Sequence, residues 1–146
     1  MENQIIISTD RQVREQAYAI RRKVFIEEQH VPEDLEIDEY DLDANTQHML
    51  LINNEGKAVG TARFRPGGNG ILKVERVAIL LEQRGKGAGM RLMHAIEQQA
   101  KQFGYHCMKL SAQVHARKFY EQLGYNAYGV VYLDAGIEHV DMVKNI

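Results

Sequence analysis

The segment Gln83-Arg84-Gly85-Lys86-Gly87-Ala88-Gly89, three alternate glycines between an apolar run and a long amphipathic stretch, constrains this chain more than any other part of it. Upstream, Ile71 to Leu81 becomes nearly continuous in apolar residues towards its end, the pattern of a central strand covered on both faces. Downstream, Met90, Met93, Ile96, Ala100 and Phe103 recur along one side of a helix from Gly87 to Phe103, and Gly104 supplies its C-terminal cap. A glycine turn joining such a strand to a helix suits an anion. The backbone approaches closely, successive N–H groups converge on oxygen atoms, and the helix adds the positive end of its dipole. Arg84 and Lys86 add charge. A Walker A loop needs Gly-Lys-Ser/Thr after its spacer, and a dinucleotide fingerprint needs Gly-x-Gly-x-x-Gly near the start of a parallel unit; neither fits here. A tight glycine turn with a helix cap would explain one Gly-x-Gly but not the whole segment.

The remaining chain supplies the frame. Gln4 to Ser8 is a short β-branched run, and Thr9 or Asp10 then caps a helix carrying Val13, Ala17, Ile20 and Val24. From Glu27 to Asp43 the chain is acidic, holds Pro32 and keeps no period, which predicts a loop with at most a short helix. That acidic stretch reads either as a solvated face or as one wall of an acceptor site. His48 to Asn53 and Lys57 to Arg65 flank a Gly-containing turn and predict an antiparallel hairpin, with Pro66 to Gly70 turning into the strand Ile71 to Leu81. Cys107 to Ala112 is a strand and His115 to Leu123 a short helix closed by Gly124. Tyr125 to Leu133 and Glu138 to Val143 are strands joined at Asp134-Ala135-Gly136. The order β-α-β-β-β-α-β-α-β-β mixes hairpins with crossover helices, so the fold class is α/β with one mixed sheet flanked by helices, in a single domain over 1–146.

Composition narrows the function. Eighteen basic residues against twenty acidic ones leave a formal charge of −2, so there is no general basic field to attract nucleic acid, and any anion site is local. Cys107 is the only cysteine, which excludes an intramolecular disulfide and a cysteine-built zinc site. His30, His48, His94, His106 and His115 show no ligand spacing with carboxylates, so no metal is expected. No apolar run reaches membrane-spanning length, and Met1 to Ser8 lacks a leader pattern. The expectation is an unprocessed cytoplasmic protein without a membrane or nucleic-acid partner, its assembly left open between monomer and homodimer.

Arg84-x-x-Gly87-x-Gly89 after an apolar strand resembles the cofactor signature of the GNAT N-acetyltransferases. Phe119-Tyr120-Glu121-Gln122-Leu123-Gly124-Tyr125 is similar to that family's second signature. Ile20-Arg21-x-x-Val24-Phe25-x-x-Glu28-Gln29, the acidic run through Asp41, His48, and Leu110-Ser111-Ala112-Gln113-x-His115 resemble the bacterial ElaA/YjcF-type branch over nearly the whole chain. Gln113 departs from the wider family, many of whose members have Asn before the second signature's helix, so that residue's cofactor contact is not carried over. The resemblance implies an acetyltransferase fold that takes acetyl-CoA between two splayed parallel strands, Ile71 to Leu81 and Cys107 to Ala112. It places the pyrophosphate on Arg84, Gly85, Lys86, Gly87, Ala88 and Gly89. The backbone of Val77 and Ile79 would hold the pantetheine arm as an added strand.

An amine attacking a thioester must lose a proton while the departing sulfur gains one. Tyr120 matches the family's acid. The base is left between His139, in the C-terminal strand, Glu75, on the central strand, and solvent. A histidine titrates near neutrality, and a carboxylate could act directly or through water. Arg21, Glu28 and Arg76 are candidates for the acceptor. In a regular strand Glu75 and Arg76 point to opposite faces, so one of them alone would reach it. The acceptor is expected to be a primary amine, of a small molecule or a protein. The rival reading is a CoA-binding sensor or interaction module without turnover.

Overall fold

The computed structural model describes residues 4–146; the expectation for the first residues of the chain lies in part outside them. A seven-stranded sheet runs in the order β1-β2-β3-β4-β5-β7-β6. Its strands are β1 Gln4–Ser8, β2 Gln47–Ile52, β3 Ala58–Gly68, β4 Ile71–Ile79, β5 Cys107–Gln113, β6 Asn126–Asp134 and β7 Ile137–Asn145. The helices are α1 Arg11–Arg21, α2 Glu33–Glu36, α3 Ala88–Gln102 and α4 Arg117–Gln122. Only β4 and β5 are parallel, joined by the right-sized crossover that α3 provides; every other neighbouring pair is antiparallel. The observed order of elements is the expected one. Among the described residues no helix is long and apolar enough to cross a membrane.

The two layers of helix lie on opposite faces of the N-terminal half. α1 buries Ala17, Ile20 and Arg21. α3 buries Ala88, Leu92, Met93, Ile96 and Ala100. A Cβ on Gly60 of β3 would come within 2.7 Å of Ile79 Cδ1 and 3.4 Å of Leu92, so a larger residue there would have to turn the Ile79 side chain aside beneath α3. The buried stripe of α3 is rotated from the expected one. Met90 and Phe103 are 52% and 69% exposed, because β4 and β3 meet the helix along the Leu92 side.

Two local departures shape the cleft. The first helix does not stop at the acidic stretch but widens into a π-helix over Arg22–Glu28, with Gln29 N–H reaching back to the Val24 carbonyl at 3.2 Å. The wider turn brings Phe25, Glu28 and Gln29 to the cleft. The acidic stretch then carries α2 and a 3₁₀ turn at Glu39–Leu42 capped by Asp38. In β3, Pro66 lies within the strand, opposite Leu72 and next to a register shift, rather than in the turn. The turn itself is at Asn69 and Gly70.

Candidate active site

β4 and β5 pair only from Ile71↔Cys107 to Val74↔Leu110 and then part. The register with β3 steps from Thr61↔Ala78 to Arg63↔Glu75, which leaves one extra residue in β4, and Arg76 sits there with φ 56°. A side chain in the left-handed region costs about 1–3 kcal/mol and persists only where its surroundings hold it. Arg76 is held by bonds to the carbonyls of Glu36 (3.1 Å) and Leu35 (3.3 Å) and to Asp38 Oδ2 (3.2 Å). The bulge bends β4 away from β5 and breaks the alternation expected of a regular strand. Glu75 and Arg76 therefore both line the cleft, where a regular strand would have presented one of them.

The cleft at this split has a volume of about 1210 Å³. Leu80 N–H bonds to the Val59 carbonyl on the β3 side, so by alternation the backbone groups of Val77 and Ile79 face the edge that β5 has left. Both residues line the cleft. At one end lies the glycine turn. Gly85 and Gly87 have φ of 77° and 81°. No atom lies within 4 Å of a Cβ built on Gly85, and only Arg91 Nη1, at 3.4 Å, approaches one on Gly87. Gly87 is the N-cap of α3, so the N–H groups of the first turn have no partner within the helix and are available to an anion. Gly89 serves packing instead. A Cβ there would stand 3.1 Å from Phe119 Cζ, which brings the two glycine- and aromatic-bearing segments into contact.

Of the charged residues in the turn, Arg84 donates to both oxygens of Glu28 (2.6 and 2.9 Å) and to the Ile79 carbonyl (2.9 Å). Arg84 and Glu28 both line the cleft, while Lys86 is not among its lining residues. Arg21 is also absent from the lining. It is 1% exposed, and its guanidinium is engaged by Glu36 (2.7 Å) and Asp41 (2.6 and 3.0 Å), so it fixes the loop behind the cleft rather than an acceptor in it. Arg63 is equally buried, bonded to Asp38 (2.6 and 2.9 Å) and Asp41 (2.9 Å). The acidic segment thus contributes Val31, Leu35 and Glu36 to the cleft, but its inner carboxylates are neutralised by arginines.

Glu75 accepts from Arg63 (3.2 Å) and from Arg65 (2.8 and 3.3 Å). Burial alone would raise its carboxyl, but the Arg65 bond and the two guanidinium charges bring it below the usual carboxylate range. Tyr120 stands at the cleft on α4, its ring edge-on to Phe119 (5.0 Å) and Tyr125 (5.8 Å). Burial pushes its hydroxyl well above the ordinary tyrosine value. His139 lies across on β7, where Nδ1–H donates to the Ile137 carbonyl at 2.7 Å. This bond fixes the tautomer and leaves the Nε2 lone pair free. Its ring stacks on Tyr132 at 6.1 Å and 23°. Gln113, the departure from the wider family's Asn, exchanges amide bonds with Gln29 (2.8 and 3.2 Å) and bonds to His115 Nε2 (2.5 Å).

One group of polar residues was not singled out from the sequence. The Ser111 hydroxyl donates to the Tyr132 hydroxyl, which donates to Asp141 Oδ1 at 2.6 Å. Lys73, Lys109, Ser111 and Asp141 all line the cleft. The available signal was alternation: Lys109, Ser111, Gln113 and His139, Asp141 stand two apart, between buried Met108, Leu110, Ala112 and Val140, Met142.

A sheet split between two parallel strands, with a glycine turn and helix start at one end of the cleft and Tyr120 and His139 further along it, is the architecture of an acyl-CoA N-acyltransferase. Residues 8–146 match the family model described as "Acetyltransferase (GNAT) domain". The chain is 41% identical over 141 residues to the uncharacterized Bacillus subtilis protein YyaT, covering 96% of this chain and 93% of that one. It is 36% identical over 142 residues to the uncharacterized N-acetyltransferase YjcF of the same organism, covering 97% and 98%. The crystal structure of an acyl-CoA N-acyltransferase from Pseudomonas aeruginosa superposes with a TM-score of 0.86 at 27% identity, covering 98% of this chain and 99% of that one. The chain belongs to the GNAT acetyltransferase family and is an N-acetyltransferase.

Proposed function

We propose that this enzyme transfers the acetyl group of acetyl-CoA to a primary amine by direct attack. The observation that carries this reading is one continuous cleft, running from the glycine turn along the free edge at Val77 and Ile79 to Tyr120 and His139. Acetyl-CoA, when bound, supplies an activated acetyl group as its thioester. The first-turn N–H groups of α3 and the Gly85–Gly89 backbone hold its pyrophosphate, and Arg84 joins them by exchanging Glu28 for phosphate oxygens. The Val77 and Ile79 backbone aligns the pantetheine arm as an added strand, and an N–H on this edge polarises the acetyl carbonyl. Tyr120, kept protonated by burial, gives its proton to the leaving sulfur.

His139 Nε2 takes the proton of the attacking amine. Its fixed tautomer favours it over Glu75, whose carboxylate is a weaker base while Arg63 and Arg65 hold it. The reading is tested by thermal stabilisation and by thiol release over a broad amine panel. Acetyl-CoA is expected to raise Tm far more than NAD or ATP, and at least one amine is expected to release free CoA. Stabilisation without turnover across the panel would instead establish a CoA-binding module.

A further inference from the structure

On the cleft side of the sheet, Arg65, Lys73 and Lys109 are direct partners across β3, β4 and β5. Arg65 has Glu75. The ion-paired lysines among the described residues are Lys57, Lys101 and Lys144, so Lys73 and Lys109 stand side by side without a carboxylate, Lys109 Nζ lying 5.7 Å from the Tyr128 ring centroid. Like charges directly opposed on neighbouring strands repel, and this pair lies in the floor of the cleft. Moving along β5, Ser111 pairs with Asp141 and Gln113 with His139. The floor therefore carries three successive rows: cationic at Lys73 and Lys109, anionic at Asp141, and basic at His139. Each is about 7 Å from the next at the rise of an extended strand. Glu36, Asp38 and Asp41 of the neighbouring acidic segment do not offset the cationic row, because Arg21, Arg63 and Arg76 occupy them.

We propose that the acceptor is a primary amine that also carries an acidic group, carboxylate or phosphate, and that Lys73 and Lys109 bind this group. Asp141, oriented by Tyr132 and Ser111, receives the ammonium end beside His139. The inference rests on the transferase reading above. The ammonium gives one proton through His139 Nε2 to water. The free amine then forms the N–C bond as the C–S bond breaks, its second proton passing to His139 while sulfur takes the Tyr120 proton. An acceptor with two cationic ends would place one of them against the lysine row, so polyamines are excluded.

The experiment compares thiol release from acetyl-CoA with γ-aminobutyrate against propylamine, with O-phosphoethanolamine against ethanolamine, and with putrescine. The acidic member of at least one pair is expected to exceed its neutral counterpart by about tenfold or more in kcat/KM, the scale of one charge-assisted contact. The pair that shows the excess identifies the anion as carboxylate or phosphate. Lys73→Met with Lys109→Met, which keeps the aliphatic stems, is expected to bring that ratio towards one while acetyl-CoA still raises Tm. Equal or better use of the neutral amines or putrescine overturns the proposal, as does a ratio that survives in the double variant. No thiol release from any amine, with acetyl-CoA still stabilising the fold, overturns the transferase reading itself and this proposal with it.

Discussion

Tyr120 keeps its proton because burial disfavours the phenolate, which suits an acid and makes the residue useless as a base at neutral pH. Tyr120→Phe keeps the ring contacts and removes only the proton. Turnover is expected to fall on the order of 10- to 1000-fold, with acetyl-CoA affinity nearly intact; stopped-flow or single-turnover kinetics with a reactive amine checks this at the chemical step. The base role proposed for His139 predicts an acidic limb in the pH profile of kcat/KM. His139→Gln is expected to remove that acidic limb in a pH profile taken with an amine of low basicity. Glu75→Gln is the control: loss of the limb there, with activity and limb kept in His139→Gln, transfers the role to Glu75. Both positions are legible from family motifs. Lys73, Lys109, Ser111 and Asp141 are not, because polar residues alternating along a strand describe any solvated sheet face equally well.

The strand–turn–helix unit of β4, the glycine turn and α3 is the element most completely written in the sequence. Its glycines have separate duties: Gly85 and Gly87 provide positive φ and open space, whereas Gly89 admits the Phe119 ring. Gly87→Glu puts a side chain at φ 81° and a carboxylate in the turn proposed to hold the pyrophosphate. It is expected to abolish the acetyl-CoA-induced rise in Tm, measured by scanning fluorimetry; an undiminished rise would move the pyrophosphate elsewhere. The bulge at Arg76 is the opposite case. Nothing in Ile71 to Ile79 announces an extra residue, and arginine is a poor choice for φ 56°. The conformation follows from what the acidic segment offers the guanidinium, two carbonyls and Asp38, which are distant in sequence. The π-helical turn at Arg22–Glu28 likewise arises where a regular period gives no warning.

At the scale of the whole molecule, Arg21, Arg63, Glu36, Asp38 and Asp41 tie α1, the acidic segment and β3 into one buried lattice. Asp41 is drawn from an ordinary 3.8 to about 2, burial opposing the shift and the Arg21 bond and charges overcoming it. A carboxyl whose folded pKa is depressed stabilises the fold above its unfolded value and loses that contribution as pH falls through the folded one. Thermal melts are therefore expected to show stability declining from about pH 4 towards pH 2. Asp41→Asn is expected to flatten that decline and to cost about 1.5–3 kcal/mol near neutrality, since it weakens charge-assisted bonds to Arg21 and Arg63 while Glu36, Asp38 and Glu75 still pair with them; urea denaturation at the two pH values measures both effects. The sequence by itself determined the order of elements, the mixed sheet, the glycine turn that opens α3 and the family, because periodicity, glycine spacing and family motifs are local properties. Tertiary structure alone decided that the acidic run is an internal counterion to arginines, that β4 bulges and parts from β5, and which charges on the cleft floor remain unpaired. Each of these depends on which distant residues meet, and pairing across a fold leaves no period in the chain.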